Sequence, residues 1–379
     1  MLDREACIVL NMISGIGYVK FSALCRCFGS PAAVYGRTLE ELEQVPGISA
    51  GLAGKITAFD WMNELTREIE LCDRAGVRII TLFDEAYPEV LRNLYDPPLC
   101  LYVRGTLPVF PDNAVAVVGS RRMSSYGEMM TKHIASGAVR AGYTVVSGLA
   151  VGVDTIAHWC AVENQGITVA VLGGGLMQLH PRENTILARR IVEKGGAIIS
   201  EFPMNFPVSR TTFPRRNRIV AGLCCATIVT EAGLNSGALI TARQALENGR
   251  DVFAVPGRVD NPQAKGCHQL IREGAVLIED FADVLEALNV GLLPLFPACG
   301  EERENDIQYR PTGTGDLSAE EKAVLECFSS TEDLSVEEIA GASGLAVGEL
   351  LSILMRLEMK MLLEQGNDQR YRRFNGLQD

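Results

Sequence analysis

Residues 77–290 alternate short apolar runs, rich in β-branched residues, with longer stretches of helical periodicity. This alternation constrains the fold most strongly, because it is typical of a parallel sheet covered by helices. Most of the runs are uninterrupted, which indicates strands buried on both faces. We predict nine strands, at 77–82, 99–103, 114–118, 144–147, 168–172, 197–200, 226–230, 252–255 and 276–278.

Two smaller regions flank this predicted sheet. Residues 1–75 read as helices and contain two similar glycine turns, ISGIG and VPGIS. Such turns are typical of helix-hairpin-helix or SAM-like domains, whose free backbone amides can face a phosphate, but a plain helical bundle explains them equally well. Residues 291–316 mix proline, glycine and charge without periodicity, which indicates a linker. We therefore expect an α/β protein with a Rossmann-like parallel sheet core at 76–290, a helical domain at 1–75 and a further domain at 317–379.

The last segment, 317–379, predicts three helices, at 318–328, 335–342 and 347–357, and then a hairpin that turns at Gly366-Asn367. Three helices and a hairpin indicate a small winged-helix domain. The third helix of such a domain often enters a DNA groove. Here its sequence, VGELLSILMRLEMK, carries as many acids as bases, so a protein contact or a degenerate role is favoured over groove reading.

Charge and cysteine content limit the possible classes of protein. The chain has 47 acidic and 35 basic residues and a net charge of -12, so any nucleic-acid site should be local rather than spread over the surface. It contains no CxxC motif and no zinc-type Cys/His set, and we expect no metal. The amino terminus lacks a secretory layout and no apolar run reaches membrane-spanning length, so we expect a cytoplasmic protein with no membrane partner.

One stretch departs from this acidic background. Residues 202–230 contain no Asp or Glu, which suits a site that must attract an anion. The stretch holds four arginines, namely Arg210, Arg215, Arg216 and Arg218. Three phenylalanines in it offer faces on which unpaired bases can stack, although we expect at least two of them to belong to the core: Phe202, Phe206 and Phe213.

The loops that follow the strands supply further candidates, because ligands of open α/β sheets bind beyond the carboxyl ends of the strands. These loops combine glycines, hydroxyl or amide side chains and arginines near the starts of helices, a combination that suits anions. Together with three residues of the acid-free stretch, the candidates for ligand contact are Gly119, Ser120, Arg121, Arg122, Gly148, Arg182, Asn184, Arg216, Asn217, Arg218, Ser236 and Gly237.

Two common nucleotide-binding motifs do not fit these loops. A dinucleotide site needs GxGxxG and an acid at the end of the next strand, whereas the first loop reads GSRRMSSYG and Ser147-Gly148 stands in the place of the acid. A P-loop needs GxxxxGK before Ser or Thr, and here Ile56 follows Gly54-Lys55. We therefore expect no nucleotide cofactor. A glycine-rich edge with repeated Arg, Asn and Ser favours several phosphates in a row, as in a polynucleotide.

Asp154 and His158 lie one turn apart on the helix predicted after the fourth strand. Such a pair can serve in acid–base chemistry, but no nucleophile stands in the same motif. The favoured interpretation is a helix cap for Asp154 and a local hydrogen bond for His158.

Six ordered motifs in residues 77–280 resemble the DNA-processing protein A family, DprA or Smf. They are VGSRRMSSYG, VSGLAVGVDTIAH, VAVLGGGLMQLHPRENTIL, SEFPMNFPVSRTTFPRRNRIVAGL, VTEAGLNSGALITARQALENGRDVFAVPG and GCHQLIREGA. The resemblance implies a non-catalytic protein that binds and protects incoming single-stranded DNA and loads the recombinase RecA in natural transformation and recombination. It also implies a homodimer formed through the sheet domain.

The resemblance also implies which residues contact DNA. The family pocket maps onto the GSR loop, the arginine after His-Pro and the RN-R motif, that is, onto Gly119, Ser120, Arg121, Arg182, Asn217 and Arg218. On this basis Asn217 and Arg218 matter most, whereas Arg210 and Arg215 supply background charge. Met177 stands where the family usually has Asp, so any polar contact of that Asp is in doubt here.

Dimer contacts in the family lie late in the sheet domain, which points to Leu270, Ile271 and Val276. An enzyme is the alternative to a DNA binder. Related Rossmann-like folds include nucleotide N-glycosidases, in which a glutamate beside a glycine-rich loop acts on a nucleoside monophosphate, and Glu231 is the candidate for that role. The PGGxGT pattern of such enzymes is missing from GLNSGALIT, so a single-stranded DNA binder without enzyme activity is the favoured hypothesis.

Overall fold

Nine strands form one large sheet in the computed structural model. In chain order they are β1 (Val77–Thr81), β2 (Cys100–Gly105), β3 (Ala114–Val118), β4 (Thr144–Ser147), β5 (Thr168–Val171), β6 (Ala197–Ser200), β7 (Ala226–Val229), β8 (Asp251–Ala254) and β9 (Val276–Leu277). Their order across the sheet is β1-β2-β6-β5-β4-β3-β7-β8-β9. All nine predicted strands are confirmed, with small shifts at their ends.

Helices cover this sheet and make up most of the flanking parts. In chain order they are α1 (Asp3–Met12), α2 (Tyr18–Phe28), α3 (Leu39–Glu43), α4 (Ala50–Ala58), α5 (Trp61–Ala75), α6 (Glu89–Arg92), α7 (Ser125–Arg140), α8 (Val153–Glu163), α9 (Thr185–Glu193), α10 (Thr212–Gly222), α11 (Gly237–Glu247), α12 (Lys265–Arg272), α13 (Phe281–Ala287), α14 (Ala319–Glu326) and α15 (Val336–Ser343). A second, two-stranded sheet joins β10 (Leu363–Gln365) to β11 (Tyr371–Arg373).

The structure describes residues 1–108, 113–288, 319–328, 334–345, 350, 353–354, 357, 362–365 and 370–373. It divides the chain into two compact units, Met1–Cys299 and Gly300–Asp379. The linker predicted at 291–316 lies outside the described residues, and the domain borders predicted from the sequence stay predictions. None of the described helices is both long and apolar enough to cross a membrane.

The predicted parallel core is confirmed for β3 to β9, and the structure adds an antiparallel pair at one edge. Strand β2 pairs antiparallel with both β1 and β6. A parallel connection needs a crossover of a dozen or more residues, usually a helix. The segment between β1 and β2 contains Pro88, Pro97 and Pro98 and forms only the short helix α6, so it returns the chain antiparallel instead.

The direction of winding reverses at β3. From β3 the chain moves outward through β4 and β5 to β6, and it then crosses to the other side of β3 and continues through β7, β8 and β9. Neighbours β3 and β7 are parallel, with Val118 opposite Val229 at their carboxyl ends. In doubly wound, Rossmann-like sheets, ligands bind in the crevice outside the strand ends at such a switch point.

Both faces of the parallel core are buried, which explains the uninterrupted apolar runs. Val115 and Val117 of β3 belong to a cluster on one face with residues of α7, α8 and α13. Ala116 and Val118 belong to a cluster on the opposite face with residues of α10, α11 and α12. Because alternate residues of a strand point to opposite faces, every position of β3 must be apolar.

Helices α1 to α5 pack against the antiparallel edge. They share a hydrophobic cluster with Tyr102 of β2 and with Met204, which follows β6. Glu68 of α5, only 5% exposed, accepts a hydrogen bond from the Met204 N–H at 2.7 Å. The two predicted glycine turns are present, with φ values of 102° at Gly15 and 84° at Gly47 that favour glycine.

The second unit contains α14, α15 and the β10–β11 hairpin. Val324, Ile339 and Leu354 belong to its core cluster. Strands β10 and β11 are antiparallel, as the predicted hairpin requires. Most of the predicted third helix, 347–357, and the predicted turn at Gly366-Asn367 lie outside the described residues.

Candidate nucleic-acid interface

A pocket of 710 Å³ opens at the switch point, beyond the carboxyl ends of β3 and β7. Its walls come from the loops after β3, β4 and β7, from α10 and from the start of α11. The predicted site residues among them are Gly119, Ser120, Arg121, Arg122, Gly148, Arg216, Asn217, Ser236 and Gly237. Loops that are far apart in the sequence therefore meet at one concave surface.

Three exposed arginines line this pocket. Arg121 and Arg122 follow β3, and Arg210 precedes α10. None of the three forms an ion pair with an acidic residue in the part of the chain that the structure describes. The guanidinium carbon of Arg121 lies 4.9 Å from the ring centre of Phe213. Arg210, expected from the sequence to be background charge, thus belongs to a cationic wall that can meet an anion.

The loop after β4 forms the floor of the pocket, and side chains brace its backbone. Asp154 Oδ2 accepts hydrogen bonds from the N–H groups of Gly148 at 3.1 Å and Ala150 at 3.3 Å. The Asn184 amide donates to the Leu149 carbonyl at 2.9 Å. Leu149 has a φ of 56°, a conformation that costs about 1–3 kcal/mol and persists only where its surroundings enforce it. Asp154 and Asn184 therefore fix the loop; Asp154 does not cap its own helix.

Arg216 is buried behind this floor and is only 5% exposed. Its Nη1 donates to the carbonyls of Gly148 and, at 2.7 Å, Val171, so it joins the ends of β4 and β5. Its Nε donates to Asn217 Oδ1 at 3.0 Å. Burial lowers the pKa of Arg216 and raises the pKa of Asp154, and the attraction between the two charges opposes both shifts. The two charges compensate each other, which leaves the exposed arginines to set the charge of the pocket.

His158 is fully buried and does not pair with Asp154. The Thr168 hydroxyl donates to the Val145 carbonyl at 2.6 Å, so its oxygen accepts from His158 Nδ1–H at 2.7 Å. Burial, assisted by repulsion from Arg216, lowers the pKa of His158 to about 3. The local hydrogen bond predicted for His158 is confirmed, and the acid–base pair is not formed.

Arg218 lies on the other side of α10. Its Nη2 is 2.6 Å from Glu201 Oε2 and its Nε is 3.3 Å from Asp96 Oδ2. Arg215 reaches the same Glu201 oxygen at 3.1 Å. These residues line a separate cavity of 190 Å³. Because successive helical residues are about 100° apart, Arg218 points about 200° away from Arg216, and the structure does not bring it to the switch-point pocket.

Arg182 and Asn184 do not line the pocket either. Arg182 is exposed and follows Pro181, which lines a small neighbouring cavity of 30 Å³ beside Arg121. Asn184 is buried and serves the loop after β4. Of the three phenylalanines, Phe213 lines the pocket, whereas Phe202 is 2% exposed and its ring centre lies 4.8 Å from that of Phe206.

Several residues of the pocket were not predicted. Gln263, from the loop after β8, accepts a hydrogen bond from the Ser120 hydroxyl at 3.1 Å. Leu234, Asn235 and Ile240 form the wall next to α11. Their position directly after β7 and at the start of the following helix is the sequence signal that could have identified them.

Glu231, the candidate of the enzyme hypothesis, is only 2% exposed and is not among the residues that line the pocket. Its carboxylate accepts hydrogen bonds from Ser124 and Asn261. The side chain is therefore engaged within the protein rather than presented to a ligand.

The residues expected at a dimer contact differ in exposure. Leu270 is 2% exposed and belongs to the core of the chain, and Ile271 is half-buried. Val276 is 44% exposed and Leu277 is 46% exposed, and both belong to β9, the edge strand of the sheet. Apolar surface is thus presented by the edge strand rather than by Leu270.

Comparison with known proteins identifies the family. Residues 78–289 match the family model for DNA recombination-mediator protein A, and residues 309–369 match that of the DprA winged-helix domain. The chain is 40% identical over 296 residues to Protein Smf of Escherichia coli, a match that covers 77% of each chain.

Two solved structures resemble the fold. The X-ray structure of DNA processing protein A from Streptococcus pneumoniae is 32% identical with a TM-score of 0.65, over 76% of this chain and 98% of that one. A structure of DNA processing protein A from Helicobacter pylori, which concerns its single-stranded DNA binding mode, is 29% identical with a TM-score of 0.51, over 57% of this chain and 98% of that one. The order of the motifs, the winged-helix match and these likenesses agree, and the chain belongs to the DNA recombination-mediator protein A family, whose members are named DprA or Smf.

Proposed function

We propose that this protein binds single-stranded DNA in the switch-point pocket and acts without catalysis as a recombination mediator in the cytoplasm. In this role it protects incoming DNA and loads RecA in transformation and recombination. The observation that carries the proposal is the cationic wall of Arg121, Arg122 and Arg210. It faces a pocket in which, among the residues that the structure describes, Asp154 is the one acidic lining residue, and this side chain is buried and hydrogen-bonded. A row of separate cations suits consecutive phosphates better than one compact anion.

The aromatic part of the pocket favours an unpaired strand. Phe213 is half-buried at the pocket wall beneath Arg121. A base can stack on an aromatic or guanidinium plane only when it is unstacked from a duplex, and such contacts accept any base. Single-stranded DNA binding by the Helicobacter pylori relative supports the same ligand for this pocket.

A non-catalytic role agrees with the state of the acidic groups near the pocket. Asp154 holds backbone N–H groups, and Glu231 accepts hydrogen bonds from Ser124 and Asn261. A general acid or base must reach the ligand within hydrogen-bond distance. Loading of RecA is proposed from the family, whose description is that of a recombination mediator.

We also propose a homodimer formed through the late part of the sheet. Exposed Val276 and Leu277 on the edge strand β9 support such a contact, because an edge strand presents unpaired backbone groups together with apolar side chains. Leu270 then stabilises the contact from within the core. Two pockets related by symmetry would lengthen the track for one DNA strand.

Fluorescence anisotropy with labelled oligo-dT and with a duplex of equal length tests the proposed ligand on the full chain. We expect the single strand to bind at least about tenfold more tightly, a difference of about 1.4 kcal/mol. Equal affinity for duplex would contradict the proposal and direct attention to the glycine turns of the amino-terminal helices.

A further inference from the structure

The carboxylate of Glu231 lies against the first turn of α7. Its Oε2 accepts a hydrogen bond from the Ser124 N–H at 2.7 Å, and its Oε1 accepts one from the Ser124 hydroxyl at 2.6 Å. The Asn261 amide donates to Oε1 at 3.3 Å. A Cβ atom on Gly127 would lie 2.5 Å from Oε2, so the helix approaches the carboxylate this closely because residue 127 is glycine.

Glu231 also holds the other end of the loop that carries the pocket arginines. The Ser120 N–H donates to the Glu231 carbonyl at 2.7 Å. The segment that contains Arg121 and Arg122 is therefore attached to a single residue at both ends, at Ser120 by the backbone and at Ser124 by the side chain. Loss of the carboxylate frees one end of the segment and leaves the other attached.

The first turn of α7 has a further significance in this fold. In doubly wound sheets, the helix that follows the strand at the switch point commonly binds a ligand phosphate with its free N–H groups and its dipole. Strand β3 and helix α7 occupy these positions here, and the anion at the helix start is the protein's own carboxylate, which accepts from the N–H of Ser124, the residue that caps α7.

We propose that Glu231 is a positioning residue that decides which phosphates the pocket accepts. Its carboxylate occupies the position at the start of α7 where a ligand phosphate would bind, and so it excludes small phosphate ligands from that position. It also orients the loop after β3, so that the phosphates of a ligand contact Arg121 and Arg122 instead of the start of α7. The assignment of Arg121 and Arg122 to the phosphates of a polynucleotide rests on the proposed function. The exclusion of small phosphates is independent of that function.

Two substitutions separate the two effects. Glu231→Ala empties the position, and Glu231→Gln fills it with a neutral group that can still accept from the Ser124 N–H but turns an NH₂ group toward Asn261. On the full-length protein we expect Glu231→Ala to weaken oligo-dT binding by about tenfold and to strengthen the binding of inorganic pyrophosphate by at least about tenfold. Glu231→Gln should weaken oligo-dT binding less and should leave pyrophosphate binding unchanged, because the amide still occupies the space.

Titration calorimetry with pyrophosphate and anisotropy with oligo-dT supply the two affinities. Glu68→Gln is the matched control, because Glu68 is also a buried carboxylate that accepts a backbone hydrogen bond but lies outside the pocket. It should change neither affinity. General loss of structure would weaken both ligands, so opposite changes in the two affinities are the specific sign of the proposed role.

A double-mutant cycle tests the positioning part. If Glu231 acts through the loop, the losses of oligo-dT affinity from Glu231→Gln and Arg121→Ala should be less than additive. Additive losses of oligo-dT affinity in the cycle would overturn the inference. It would also be overturned by a Glu231→Ala variant that folds but binds pyrophosphate no more tightly than the wild type. If Glu231→Ala does not fold, the cycle in the Gln background decides. Failure of the wild-type chain to bind oligo-dT would instead contradict the proposed function, and the pyrophosphate comparison would still test the exclusion.

Discussion

The guanidinium of Arg121 covers the ring of Phe213, with 4.9 Å between the guanidinium carbon and the ring centre. Charge and an aromatic face are thus joined at one point of the pocket wall. A phosphate can pair with the cation while the neighbouring base stacks on the aromatic ring or the guanidinium plane. Under the proposed function, this pair lets one wall bind a DNA strand without reading its sequence.

The first prediction concerns this stacking. Phe213→Leu keeps the wall apolar but removes the flat face, and we expect oligo-dT affinity to fall by about 1–3 kcal/mol, the range for one stacked base. Anisotropy at fixed salt measures the change. Phe206→Leu is the control, because Phe206 stacks on Phe202 and does not line the pocket. Equal losses in the two variants would show that Phe213 has no special part in binding.

The second prediction concerns the buried cation behind the pocket floor. Arg216→Leu leaves Asp154 as an uncompensated buried charge and removes the donors to the carbonyls of Gly148 and Val171. We expect the free energy of unfolding to fall by about 3–5 kcal/mol. Urea denaturation measures it, and Arg74→Leu, which removes an exposed ion pair with Glu70, should cost no more than about 1 kcal/mol. A small loss for Arg216→Leu would contradict a pairing of the two buried charges.

The third prediction is a pH dependence set by His158. Its pKa is lowered from an ordinary value of 6.5 to about 3 in the folded protein. Between these two pH values the unfolded chain binds a proton at His158 that the folded chain does not bind. This contribution to stability is complete above the unfolded pKa and is lost as the pH falls toward the folded pKa, at up to about 1.4 kcal/mol per pH unit.

His158→Gln removes this titration. The difference in free energy of unfolding between wild type and His158→Gln should therefore shrink, or reverse, as the pH falls below about 6.5. Thr57→Ala, at an exposed position and without a titratable group, is the control and should show a difference that stays nearly constant. A wild-type advantage that does not change with pH would rule out a neutral buried imidazole.

The fourth prediction concerns assembly. Val276→Asp combined with Leu277→Asp places charge on the exposed edge strand β9 and should raise the dissociation constant of the proposed dimer at least about tenfold. Sedimentation equilibrium measures it. Val259→Asp, at a residue 84% exposed elsewhere on the surface, should have no effect. Unchanged dimerisation in the edge-strand variant would exclude β9 from the contact.

Much of the fold follows from the sequence, because the apolar runs and loop glycines are local signals. All nine strands were predicted, and so was the meeting of the loops that follow them at one edge of the sheet. The antiparallel pairing of β2 with β1 and β6 was not predicted. Strand direction depends on whether the segment before β2 forms a crossover helix, and the sequence analysis did not use Pro97 and Pro98 as a sign that it does not. Strand direction is decided by the connection rather than by the strand.

The candidate site was less predictable because charge alone does not show where a side chain points. Arg216 and Arg218 stand two residues apart in one motif, yet one braces the pocket floor and the other pairs with Glu201. Helical periodicity separates them, at about 100° per residue. Arg210 precedes the helix, so no periodicity constrained it, and its place at the pocket had to come from the structure.

Arg121, Arg122 and Arg210 are proposed to neutralise phosphates of a DNA strand. The salt dependence of oligo-dT binding tests this most directly, because log K falls against log salt by about 0.7 per phosphate neutralised on a single strand. The triple variant Arg121→Ala, Arg122→Ala, Arg210→Ala removes three of these contacts. A control triple variant, Arg74→Ala, Arg190→Ala, Arg258→Ala, has the same net charge but alters arginines that pair with Glu70, Glu193 and Asp260 away from the pocket.

We predict that the pocket variant lowers the magnitude of the slope by about 2 and that the control leaves it unchanged. A pocket variant with the wild-type slope, or a control with an equal reduction, would contradict the assignment of DNA binding to this pocket.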